Sequence, residues 1–197
     1  MKSRILKMLR QQENFISGQE ICDSLGISRT AVWKYMNQLK NEGYEIESVS
    51  NRGYHLVSLP DIISAQEIKS QLTTTAFGRE VYFFDEIDST NNYIKKIAEN
   101  GAAHGSLAIA ECQTGGRGRR GRVWKSPKGT GIWMSYLLRP AIPPYSASML
   151  TLVAGLAVSR VLSEVTGIEA EIKWPNDVVM NGHKVCGILT EMSADPD

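Results

Sequence analysis

Cysteine is scarce in this 197-residue chain, and its three residues, Cys22, Cys112 and Cys186, stand far apart with no CxxC pair among them. That spacing excludes a disulfide framework and a thiolate zinc site. The three histidines are isolated and add no metal-ligand pattern, so no metal ligands are assigned. No run of eighteen apolar residues occurs, and Met1 to Arg10 is charged and amphipathic rather than a signal core. Neither a membrane partner nor a leader is therefore expected, and a reducing cytoplasm is the expected compartment. Net charge is low as well, at +1. Attraction to nucleic acid or other anions must come from local clusters.

With 42% hydrophobic and 22% charged residues, the chain has the composition of a globular protein with room for one or two domains. Its charge is unevenly spread. From Cys112 to Ser163 there is no Asp or Glu, while Arg117, Arg119, Arg120, Arg122, Lys125, Lys128, Arg139 and Arg160 all lie there. The densest part is Gly115-Gly116-Arg117-Gly118-Arg119-Arg120-Gly121-Arg122. Alternating glycine and arginine gives the backbone unusual freedom while supplying fixed positive charge, a combination suited to closing over a phosphate or carboxylate. Further on come Lys173-Trp174-Pro175-Asn176-Asp177 and Lys184-Val185-Cys186-Gly187.

Residues 1–62 read as a helical module ending in a hairpin. Ile5, Leu6 and Leu9 form one apolar stripe, and Ser17-Gly18-Gln19-Glu20 has capping-box spacing for a second helix that stops near Gly26. Ser28 caps a third, with Val32, Met36 and Leu39 on one face and Gly43 as its stop. This is a helix-turn-helix pattern in which Ser28, Arg29, Thr30, Lys34 and Asn37 face away from the core, toward a major groove. Two alternating segments around Ser50-Asn51-Arg52-Gly53 make a wing that carries Arg52. The competing reading is a small interaction domain with a solvated polar face.

Residues 63–197 read as an α+β domain with one mixed sheet. Strands are expected at 81–85, 107–111, 132–138 and 169–174, with helices at 90–100, capped by Ser89, and at 146–165. Asn181-Gly182 between apolar runs predicts a two-residue hairpin turn in which Met180 faces His183, Val179 faces Lys184 and Val178 faces Val185. Asp177 and Lys184 then become diagonal neighbours on one face, a pair that a surface salt bridge also explains. The Gly/Arg loop is open to three readings: a solvated loop, an RGG-like nucleic-acid segment, and a functional anion-binding loop. It is not a Walker A loop, because no Gly-Lys-Ser/Thr follows the glycines. Self-repulsion among its arginines predicts mobility until an anion orders it.

Ser89-Thr90-Asn91, Gln113, Gly115 to Arg122 with Trp124, Lys173 to Asp177 and Lys184 to Leu189 occur in an order that resembles the biotin protein ligases that double as biotin operon repressors. The resemblance implies a winged helix-turn-helix followed by a class II synthetase-like ligase domain. It implies ATP, Mg²⁺ and biotin as reactants, with biotin also an effector, and formation of biotinyl-5′-adenylate. A biotin carboxyl carrier protein domain would be the acceptor, operator DNA a second partner, and a ligand-promoted homodimer the assembly.

By the same resemblance Ser89, Thr90, Asn91, Gln113, Gly116, Arg117, Arg119, Lys184 and Gly187 take biotin. Arg119, Arg120, Arg122, Trp124, Asn176 and Lys184 take the nucleotide, although a structural tryptophan explains Trp124 equally well. Lys184 and Arg119 are the implied catalytic cations, with Asp177 orienting Lys184. Family members continue beyond the equivalent of Asp197 through further strands, a second covering loop and a small barrel. The expectation is therefore an incomplete ligase domain. A non-catalytic biotin-sensing regulator and a lipoate-type ligase are the alternatives.

Overall fold

The computed structural model describes residues 1–61 and 63–193. Ile62, at the expected domain boundary, and the polar tail 194–197 lie outside them. Three helices open the chain, α1 (Lys2–Arg10), α2 (Gly18–Leu25) and α3 (Arg29–Asn41), followed by the hairpin β1 (Glu45–Val49) and β2 (Gly53–Ser58). The caps fall where the sequence puts them. Ser17 Oγ accepts from the Glu20 amide at 3.0 Å, Ser28 Oγ from the Ala31 amide at 3.2 Å, and Gly26 closes α2 in the left-handed region. Ile5, Leu6, Leu9, Ile21, Val32, Met36 and Leu39 are fully buried, because their helical spacing brings three apolar stripes to one centre. Each such burial contributes about 1.5 to 3 kcal/mol. Gly53 turns the wing against the chain before α2, where a Cβ would stand 2.0 Å from the Ile16 carbonyl oxygen.

A short helix, α4 (Ala65–Gln71), joins this module to the rest, and sequence reading did not anticipate it. It packs on α1 through an ion pair between Arg10 and Glu67. Tyr44 is buried beside that pair, and burial, followed by its contact with Glu67, pushes its hydroxyl pKa well up.

The remaining elements are β3 (Val81–Phe84), α5 (Thr90–Glu99), β4 (Leu107–Ala110), β5 (Trp133–Tyr136), α6 (Met149–Thr166), β6 (Ala170–Lys173), β7 (Asp177–Met180) and β8 (His183–Gly187). They form two three-stranded sheets rather than the single sheet expected, in the orders β3-β4-β5 and β6-β7-β8. The β3–β4 pair is parallel, joined by α5 as a crossover, and the other pairs are antiparallel. Ile94 of α5, Ala108 of β4 and Leu137 make the core of the first sheet, with Phe84 and Tyr93 packed edge to face against it.

The long helix starts at Met149, after a 3-10 turn at Pro144–Ser146, and not at Ser146. Gly155 brings it close to Ile172 and Ile188, while Val153, Val161 and Val165 are exposed. Although Arg160 and its serines interrupt any continuous apolar run, the stretch Pro144–Thr166 is long and apolar enough, by composition, to cross a membrane.

Candidate functional site

The first crossover delivers a cluster of hydroxyls and amides to the N-terminus of α5. Ser89, the N-cap, and Thr90 are both buried. Gln113, just past β4, accepts from the Thr90 amide at 2.9 Å and the Thr90 hydroxyl at 3.0 Å, and its own amide donates to Ser126 Oγ at 3.1 Å. Thr90 Oγ1 lies 2.8 Å from Ser135 Oγ, and Ser135 in turn donates to Asn91 Oδ1. Asn91 Nδ2 donates to Glu191 at 2.8 Å, which also receives Lys95 at 2.7 Å. Burial raises the Glu191 pKa, but these two donors and the Arg117 charge outweigh it and hold the carboxyl below its ordinary range.

Sequence reasoning missed Ser126, Ser135 and Glu191. Ser135 had a legible signal, since on β5 it alternates inward opposite Ala108, where a buried hydroxyl needs a partner.

The Gly/Arg loop has a defined path in the structure, held by turns and side-chain contacts. Bridges Gln113↔Ser126 and Arg117↔Val123 fold it back on itself, and Arg119–Gly121 form a 3-10 turn with Arg120 at φ 57°. Its guanidiniums diverge toward separate partners, which relieves the repulsion: Arg117 donates to Asn92 Oδ1, and Arg119 Nη1 donates to Asn176 Oδ1 at 3.2 Å. Arg120 and Arg122 are exposed, and among the described residues neither side chain makes a hydrogen bond or ion pair. The space beside Gly116 belongs to the loop's own backbone, since a Cβ there would lie 2.4 Å from the Trp124 carbonyl oxygen.

The second sheet supplies the other half. Asn181 and Gly182 both have positive φ, as a two-residue turn of this kind requires, and Val179 pairs with Lys184 as expected. Beyond that the register shifts: Val178 faces Cys186 instead of Val185, and Asp177 faces Gly187, because a bulge adds a residue on β8. Lys184 and Asp177 still meet, with Nζ 2.7 Å from Oδ1. Trp124 is half-buried against this pair. Lys184 Nζ sits 4.8 Å from its ring centre, and a Cβ on Gly187 would be 3.0 Å from the indole.

Asn176 is engaged at both ends, donating to the Ile188 carbonyl at 3.1 Å and accepting from Arg119. Burial raises the Cys186 thiol pKa, which keeps it a packing group rather than a nucleophile. The structure thus brings Arg119, Trp124, Asn176, Asp177, Lys184 and Gly187 together, with the Gly/Arg loop bridging them to Ser89, Thr90, Asn91, Gln113 and Arg117.

On the winged module Arg29, Thr30 and Lys34 are exposed and Asn37 is half-buried. The Ser28 hydroxyl is spent on its capping bond. Gln19 Oε1 accepts from Arg29 Nε at 3.1 Å and Nη2 at 2.9 Å, aiming the guanidinium along a groove between α3 and the wing. Arg52 stacks 4.2 Å over Phe15. Trp33, missed in the sequence, stands 61% exposed on α3.

Architecture and site together describe a helix-turn-helix module joined to a mixed α/β domain with a cationic loop. Residues 83–194 match the biotin/lipoate A/B protein ligase family and residues 2–55 match a helix-turn-helix domain. The chain belongs to the biotin/lipoate A/B protein ligase family. It is 46% identical over its whole length to the bifunctional ligase/repressor BirA of Bacillus subtilis (strain 168), of which it covers 61%. Against the bifunctional ligase/repressor BirA of Escherichia coli (strain K12) it is 35% identical over 96% of its length, covering 57% of that protein. The chain therefore spans about three fifths of the length of these relatives. Among solved structures, a biotin protein ligase from Aquifex aeolicus in complex with biotin and ATP matches 59% of this chain and 48% of that one, with 40% identity and a TM-score of 0.52. A Leishmania major biotin protein ligase in complex with biotinyl-5-AMP matches 59% of this chain and 53% of that one, with 29% identity and the same TM-score.

Proposed function

We propose that this chain carries the biotin-activating machinery of an ATP-dependent biotin–protein ligase, with a DNA-reading module at residues 1–62 that makes it a biotin-responsive repressor as well. The supporting observation is the convergence of Lys184 and Arg119, from different elements, on the Trp124–Asn176 surface beside the Thr90–Gln113 hydroxyl and amide cluster. An in-line displacement between two anions needs cations where charge accumulates. Biotin carboxylate oxygen attacks the α-phosphorus of ATP, the bond to the β-phosphate oxygen breaks, and pyrophosphate leaves. A lysine amine of the carrier domain then takes the biotinyl group and releases AMP.

In this scheme Ser89, Thr90, Asn91, Gln113 and Arg117 hold biotin, with Gly187 against its tail. Arg119, Arg120, Arg122 and Asn176 face the nucleotide, Trp124 covers it, and Asp177 orients Lys184. Thr90 and Gln113 would exchange their mutual hydrogen bonds for bonds to the ureido ring. Mg²⁺ would arrive with the triphosphate, since among the described residues no group of three His, Cys, Asp or Glu side chains stands ready to hold an ion. Incubation with biotin, MgATP and a carrier domain is expected to add one biotinyl mass to the carrier. Absence of that mass together with absence of pyrophosphate release would leave the non-catalytic biotin sensor as the better reading.

A further inference from the structure

Asn92 lies outside the set of residues that sequence reasoning assigned, yet its amide joins the N-terminal end of α5 to the Gly/Arg loop. Its Nδ2 donates to Asp88 Oδ2 at 2.7 Å. A carboxylate only accepts, so this bond fixes which way the amide faces. The carbonyl end is thereby turned to the loop, where it accepts from Arg117 Nη2. The Asn92 hydrogen bond, then the Ser89 amide and the Arg117 charge, hold the Asp88 carboxyl below its ordinary range, so the anchor stays ionised. The loop backbone is tied to the same short segment: Gly115 N donates to the Asp88 carbonyl at 2.7 Å and Thr114 N to that of Ile87 at 2.9 Å.

We propose that Asn92, oriented by Asp88, is a positioning residue that sets the Arg117 guanidinium at the mouth of the biotin site before any ligand arrives. This rests on the ligase reading of Arg117 given above. A guanidinium has five N–H donors, so the bond to Asn92 leaves the others free for an incoming anion. Pre-setting a long side chain removes part of the ordering cost of binding.

The test compares Asn92→Ala and Asp88→Ala with the wild-type chain. Alanine is the better helix former at position 92, so weakening of α5 would not explain a loosened loop. Trypsin cleavage between Arg117 and Arg122, measured without ligand, is expected to quicken about 5- to 10-fold in Asn92→Ala, because cleavage tracks the open population. A smaller acceleration is expected in Asp88→Ala. The dissociation constant for biotin, by calorimetry, should rise by a similar factor while the melting temperature holds. Cleavage at the wild-type rate in both variants would overturn the proposal even with biotin binding intact. Failure of the wild-type chain to bind biotin would instead refute the ligase reading, and the cleavage comparison would still decide whether Asn92 clasps the loop.

Discussion

Lys184 Nζ stands 2.7 Å from Asp177 Oδ1 and 4.8 Å from the centre of the Trp124 ring, so one cation is held between a carboxylate and an aromatic face. Asp177 Oδ1 is buried and makes no well-aligned hydrogen bond, which leaves the ion pair as its compensation. The lysine is still partly open to solvent, at 39% for its side chain, and can turn toward an anion.

Lys184→Ala is therefore expected to lower biotin- and ATP-dependent pyrophosphate release by about 10² to 10³, the usual loss on removing one group that stabilises developing charge. Asp177→Asn should cost about tenfold, since it misplaces the cation without deleting it. Lys184→Arg should not restore the rate, because a planar fork does not occupy the place of a point charge. Release at the wild-type rate in Lys184→Ala would remove this residue from the chemistry.

Arg29 and Arg52 flank the groove between α3 and the wing but should behave differently on DNA. Gln19 pre-aims Arg29, which suits a base edge, so Arg29→Ala should weaken operator binding by about 1 to 3 kcal/mol and relax preference at one base pair. Arg52 lies at the exposed wing tip over Phe15, which suits a phosphate. Arg52→Ala should weaken binding to all sequences alike and reduce the salt slope by about 1. Gel shifts at several salt concentrations separate the two, and identical behaviour of the variants would remove the distinction.

The winged module was legible because each of its decisions is local: apolar residues at helical spacing, serine caps, and glycine where φ must be positive. The helix α4 had the same kind of signal, a Ser64-to-Glu67 capping spacing of which the structure uses the serine half at 3.1 Å, but its seven residues are too few to show a period. The division into two sheets depends on pairings between distant segments, which no local pattern encodes. The hairpin turn was readable from Asn181-Gly182, whereas the bulge after Val179 and Lys184 was not, since it brings Cys186 rather than Val185 opposite Val178. In the site, charge and glycine marked the loop. Which partner each arginine takes was hidden: Asn92 carries no charge that marks it, and Asn176, though named for the site, gave no sign that it would accept from Arg119.

Glu191 closes the far side of the Thr90–Asn91–Gln113 cluster by accepting from Asn91 and Lys95, and its folded pKa lies below the ordinary carboxylate value. A depressed folded pKa means that the stabilisation is complete above the unfolded value, about 4.3, and disappears as pH falls through the folded one. Wild-type chain should thus melt higher than Glu191→Gln at pH 7, with the gap shrinking as pH falls below the unfolded carboxylate value and vanishing once pH is below the lowered folded one. Solvent screening at this partly open side chain limits the contribution to less than about 1 kcal/mol, or roughly 2 to 4 °C in Tm. Because Asn91 also accepts from Ser135, losing the Glu191 anchor should loosen the Asn91 amide, and under the proposed ligase function biotin affinity should fall over the same pH window. A melting difference that stays constant from pH 7 down to full protonation of the carboxylates would show that Glu191 holds no ionised contact here.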